Sequence, residues 1–121
     1  MTNEEFEATA EQALQELPPD LAAKIENVDI FVEDYPSLEV QRSMGVSRYG
    51  LLGLYSGTPR NHRSPFHYGN TLPDRIYLYQ KNIESVSPDR ETLKHQIQRT
   101  VLHEIGHYFG IDDARLRELG F

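Results

Sequence analysis

The run HEIGHYFGIDD, residues 103–113, places two histidines four residues apart with a glutamate directly after the first. On a helix this spacing sets both imidazoles on one face, one turn apart, where they can share a tetrahedral ion. Glu104 sits round the helix from the pair, poorly placed to ligate but able to take a proton from a metal-activated water. Gly110 follows His107 by three residues and Asp113 follows it by six, giving the form H-E-x-x-H-x-x-G-x-x-D. A glycine there lets the chain leave the helix sharply, often with a positive φ that other residues adopt only under strain. The chain then folds back so that Asp113 meets the ion. The expected metal ligands are therefore His103, His107 and Asp113, with Glu104 as general base.

Fourteen residues follow His107, so the acidic candidates for a third ligand downstream are Asp112, Asp113 and Glu118. Asp113 has the spacing. Asp112 reads as a cap for the tail helix and Glu118 as solvent-facing. His95 lies about 80–120° round the helix from the histidine pair, at 100° per residue, and reads as an exposed or packed side chain. His62 and His67 fall in a long connection and read as ordinary loop residues, with a flap or a further ligand as the alternative. The chain has no cysteine, so any ion here is held by nitrogen and oxygen. Zinc is the expected metal, although such a donor set also suits other divalent ions.

The motif needs a long helix. Ser87-Pro88-Asp89 looks like its start, with the proline at the first helical position. Leu93, Ile97, Val101, Leu102, Ile105, Tyr108 and Phe109 then cover one broad side up to Gly110. Gln96, Thr100, His103, Glu104 and His107 form a polar arc beside that side, as the floor of a cleft would.

Upstream, residues 2–17 predict an amphipathic helix with Phe6, Ala10, Ala13, Leu14 and Leu17 on one face and a capping box from Thr2 and Glu5. Pro18-Pro19 ends it, and Asp20 is a candidate cap for a short turn over residues 21–25. Val28, Ile30 and Val32 alternate with polar neighbours as a half-buried strand. Residues 37–45 suggest a short helix stopped by Gly45. Residues 51–57 suggest a second strand, whose internal Gly53 marks a bulge or a close backbone approach. Residues 74–80 suggest a third strand, and 113–119 a short helical tail. Helices set against a small sheet make an α+β domain spanning residues 1–121.

Hydrophobic content of 38% and charged content of 26% suit a single globular domain. The net charge of −7 argues against nucleic acid, whose phosphates call for lysine and arginine. No apolar run approaches membrane-spanning length, and residues 1–17 are acidic rather than signal-like, so the expected location is the cytoplasm.

Four blocks, FVEDYP at 31–36, LLGLYSGTP at 51–59, LPDRIYLYQKNIE at 72–84 and VLHEIGHYFGIDDARL at 101–116, resemble the bacterial minimal zincin family of small single-domain metallopeptidases. The resemblance implies a zincin-like fold with a mixed sheet beside the motif helix. It also implies zinc on residues matching His103, His107 and Asp113, and Glu104 as the catalytic acid and base. The motif shares the logic of the metzincin signature, with aspartate for the third histidine. Unlike metzincins, this chain has no methionine turn downstream, since its methionines are Met1 and Met44. The expected function is zinc-dependent hydrolysis of a peptide or protein substrate by a monomer without nucleic-acid or membrane partners. The alternative is a non-catalytic metal-binding or regulatory protein that keeps a zincin-like site.

Overall fold

The computed structural model describes residues 1–57, 74–106 and 110–121. His62 and His67 therefore lie outside the described residues, as do His107, Tyr108 and Phe109. Among the described residues the elements run α1 (Asn3–Gln15), α2 (Pro19–Lys24), β1 (Val28–Glu33), α3 (Leu38–Met44), β2 (Gly53–Ser56), β3 (Asp74–Tyr79), α4 (Gln80–Ser85), α5 (Arg90–Ile105) and α6 (Asp113–Glu118). The fold is α+β, as expected.

The capping box of α1 is present in full: Thr2 Oγ1 accepts from the Glu5 N–H at 3.0 Å, and Glu5 accepts from the Thr2 N–H at 3.2 Å. A cap of this kind contributes about 1 kcal/mol. At α2 the expectation fails in detail. Pro19 rather than Leu21 opens the helix, so Pro18 is the cap and Asp20 lies in the first turn. A proline at the first position costs nothing there, because its missing N–H would have had no helical partner. At α5 the proline stays outside: Asp89 is the cap, its side chain accepting from the Thr92 N–H at 2.7 Å, and the helix starts at Arg90.

The sheet is ordered β1-β3-β2, with β1 parallel to β3 and β2 antiparallel to it. Ile76 and Leu78 of β3 are fully buried on one face, against Phe6, Ala13, Ile97, Val101 and Leu102 from α1 and α5. The opposite face is partly open, with Phe31 stacked on Tyr77 at 5.6 Å. Polar contacts tie α1 to α5. Lys94 pairs with Glu16 at 2.8 Å, and Gln98 donates to the Ala13 carbonyl at 2.7 Å.

A helix that periodicity did not reveal, α4, follows β3 directly. It buries Gln80 and Asn82 as well as Ile83. Asn82 Nδ2 donates to the carbonyls of Arg48 and Leu51, at 2.7 and 2.8 Å, and so anchors the segment leading into β2.

Tyr79, at the end of β3, is buried, and that burial, with Glu33 nearby, pushes its hydroxyl up to about 12. The neutral phenol is the form the fold accepts. Its contribution is fully present below the ordinary tyrosine value of about 10 and is lost as pH rises through about 12. An absorbance titration of the seven tyrosines should include a step near pH 12, and Tyr79→Phe should remove it. A titration unchanged by Tyr79→Phe would refute the assignment.

Candidate metal and catalytic site

The motif end of α5 lies beside β2, and one glycine sets their separation. A Cβ added to Gly53 would stand 2.7 Å from Thr100 Cγ2 and 3.0 Å from the Tyr77 carbonyl oxygen. Strand and helix therefore touch at a distance only glycine permits, the close backbone approach that its place in the strand suggested.

This contact brings β2's main chain onto the motif glutamate. The Tyr79 N–H donates to the Leu52 carbonyl at 2.9 Å, and Gly53 pairs with Leu78. Hydrogen bonds alternate along an antiparallel pair, so the main-chain groups of Gly53 and Tyr55 turn away from β3 toward the outer edge. There the Tyr55 N–H donates to Glu104 Oε1 at 3.1 Å. The Tyr55 side chain is held separately, its hydroxyl donating to Asp74 Oδ1 at 2.7 Å. A main-chain donor has no signature in the sequence, so residue types alone did not show what orients Glu104.

Glu104 is half-buried. Burial raises its carboxyl above the ordinary carboxylate value, and the Tyr55 N–H, which favours the charged form, pulls it partly back. The group is thereby fixed in direction and made more basic than a surface glutamate.

A cleft of about 320 Å³ opens between the two elements, lined by residues 50–53 on one side and by Gln96, Arg99, Thr100, His103 and Glu104 on the other. Most of the predicted polar arc is therefore a cleft wall. Gln96 Nε2 donates to Thr100 Oγ1 at 3.2 Å, which leaves the Gln96 carbonyl and the hydroxyl hydrogen of Thr100 for other partners. Arg99 belongs to the same wall but was not on the expected arc.

His103 is exposed, and its Nε2 lies 2.6 Å from the Phe121 main-chain oxygen. That oxygen can only accept, so Nε2 donates. His95, eight residues before His103 and outside the motif, takes the neighbouring peptide: its Nε2 is 2.9 Å from the Gly120 oxygen, and its ring stacks on Phe121 at 5.1 Å. His95 is thus an exposed side chain packed on the following segment.

Gly110 has φ +69°, and the Ile111 N–H donates to the Gly106 carbonyl at 2.9 Å. The positive φ expected at Gly110 is present, but the described helix α5 ends earlier, at Ile105 with Gly106 as its cap, and residues 107–109 between them lie outside the described ones. Asp112 caps α6 by accepting from the Ala114 N–H at 2.8 Å. Asp113 is the first residue of α6, and its side chain is exposed. Glu118 is exposed as well. Among the described residues no three histidine, aspartate or glutamate side chains gather around one point. The motif's second histidine lies outside them.

An exposed imidazole on the cleft is chemically suited to hold an ion through nitrogen, with the half-buried Glu104 carboxylate beside it as a proton acceptor. Among the described residues, no helix is long and apolar enough to cross a membrane. No curated protein gives a significant match to the sequence. A family model described as zincin-like metallopeptidase matches residues 25–121, well over half of the chain.

Proposed function

Because the chain belongs to the zincin-like metallopeptidase family, we propose that it is a zinc-dependent peptidase in which His103, His107 and Asp113 hold the metal and Glu104 is the general base. The observation that carries this reading is the Glu104 carboxylate, buried enough to be basic and aimed by the Tyr55 N–H at the cleft it shares with His103. A bound zinc ion supplies the Lewis acidity that makes water nucleophilic near neutral pH and polarises the scissile carbonyl.

This chain's own residues do the rest. An extended peptide lies along the outer edge of β2, where the main chain of Gly53 faces the cleft. Glu104 takes a proton from the attacking water and passes it to the departing amide nitrogen, acting first as base and then as acid. The raised proton affinity of Glu104 serves both halves of that transfer. For His103 to ligate through Nε2, that nitrogen gives up its hydrogen and exchanges the Phe121 oxygen for the ion.

The test is metal dependence. The zinc-loaded protein should cleave an unfolded protein substrate, stop on chelation and recover when zinc is restored. His103→Ala and Asp113→Ala should each retain zinc at least tenfold less tightly, measured by competition with a chromophoric chelator. Cleavage that survives full chelation would sink the reading. Zinc bound stoichiometrically with no cleavage of any peptide would favour a metal-dependent binding protein instead.

A further inference from the structure

The wall of the cleft carries one cation that the mechanism does not use. Arg99 is exposed and, among the described residues, has no carboxylate within 4.0 Å and no side-chain hydrogen bond. Other cations of its neighbourhood are engaged: Arg90 donates to Gln12, Lys94 pairs with Glu16, and Arg115 pairs with Asp20. In a chain of net charge −7, an arginine that lines a cleft and has no acidic partner among the described residues is available to an acidic ligand. The facing wall, residues 50–53, is Gly-Leu-Leu-Gly and offers no side-chain charge to neutralise it.

Its position is also informative. Arg99 precedes His103 by four residues and Glu104 by five, so it lies about 7.5 Å back along the helix axis from Glu104. An extended peptide advances about 3.3 Å per residue, so the guanidinium addresses a group about two residues from the bond over Glu104. The same helix face already carries main-chain oxygens of the chain's own residues 120 and 121. The oxygens of Gly120 and Phe121 rest on His95 and His103, the residues one turn before and one turn after Arg99.

From this placement we infer that Arg99 forms a carboxylate subsite, and that the cleft selects peptides bearing a carboxylate about two residues from the scissile bond. The inference rests on the peptidase reading for its register and on the cleft geometry for the subsite. The planar fork of arginine donates two parallel hydrogen bonds to a carboxylate, a geometry that lysine does not reproduce. An acidic side chain and a free peptide C-terminus present the same group.

Binding and cleavage are measured separately. Zinc-loaded Glu104→Gln is titrated by fluorescence anisotropy with three labelled peptides of one apolar sequence. The first is amidated and neutral, the second amidated with a single glutamate, and the third neutral with a free C-terminus. At least one acid-bearing peptide should bind about tenfold more tightly than the neutral one. Whichever carries the gain identifies the source of the carboxylate. Adding Arg99→Gln should abolish the gain, and Arg99→Lys should restore part of it. Equal binding of all three peptides, or a preference that persists in Arg99→Gln, overturns the subsite. In the wild type, kcat/KM should rank the peptides in the same order. A binding preference that depends on Arg99, with no cleavage of any peptide, supports the subsite and overturns the peptidase reading alone.

Discussion

Glu104→Gln should lower peptide cleavage by about 10²- to 10⁴-fold while leaving zinc affinity within a few-fold of the wild type. Glutamine keeps the shape of the side chain, and its amide oxygen can still accept the Tyr55 N–H that now meets Oε1 at 3.1 Å. What it loses is the ability to take and return a proton. The same substitution should raise the stability of the metal-free protein at neutral pH. Burial raises the Glu104 carboxyl above its ordinary value, so the folded state disfavours the ionised form. For a group shifted upward, the stabilising contribution is complete below the unfolded pKa and is lost as pH rises through the folded one. Glutamine has no charge to desolvate and escapes that loss. Urea midpoints of the two metal-free proteins should therefore converge in acid and diverge toward pH 7, with the variant the more stable. Equal cleavage by the two proteins would remove Glu104 from the mechanism, and identical midpoints at pH 7 would refute the burial argument.

Gly53→Ala should damage both the fold and the site. The new methyl meets Thr100 Cγ2 at 2.7 Å and the Tyr77 carbonyl oxygen at 3.0 Å, and neither can simply swing away. Thr100 is buried on α5, and the Tyr77 oxygen belongs to the central strand. Overpacking of this kind typically costs about 1–3 kcal/mol, readable as a lower urea midpoint at unchanged slope. The strand must also move off the helix, and the Tyr55 N–H moves with it. Cleavage per folded molecule should fall further than the loss of folded protein explains. Thr100→Ser removes the clashing methyl but keeps the hydroxyl that Gln96 contacts, so the double variant should recover part of both losses. If Thr100→Ser makes Gly53→Ala worse, the contact between strand and helix is not what the glycine protects.

The fold was readable where one face of an element carries the hydrophobic contribution. Phe6, Ala10 and Ala13 announce α1, the alternation of Val28, Ile30 and Val32 announces β1, and Leu93 through Ile105 announce α5. It was not readable at α4, because Gln80 and Asn82 are buried for their hydrogen bonds and break any apolar period. The cap of α2 was misplaced because Asp20 has the right residue type, whereas the adjoining prolines decide where the turn begins. At the candidate site, motif spacing puts His103 and Glu104 on one helix and a positive-φ glycine at Gly110, and the structure has all three. The donor that aims Glu104 is a peptide N–H, and the oxygens on His95 and His103 are main-chain oxygens as well. Such groups are the same at every residue, so only the path of the chain reveals them. Gly53 is the exception, because a missing side chain does show in the sequence.

The sheet order has a consequence for how the chain folds. Its middle strand, β3, is the last of the three in sequence, and Val28 of β1 pairs with Asp74, 46 positions later. Among the described strands, β1 and β2 each pair only with β3. Contacts so distant along the chain make for slow folding, because the intervening loop must close before any pairing rewards it. The helix bearing His103 and Glu104 comes later still and packs both on α1 and on this sheet. The candidate site is thus built on contacts distant along the chain, since the Tyr55 N–H meets a glutamate 49 positions later.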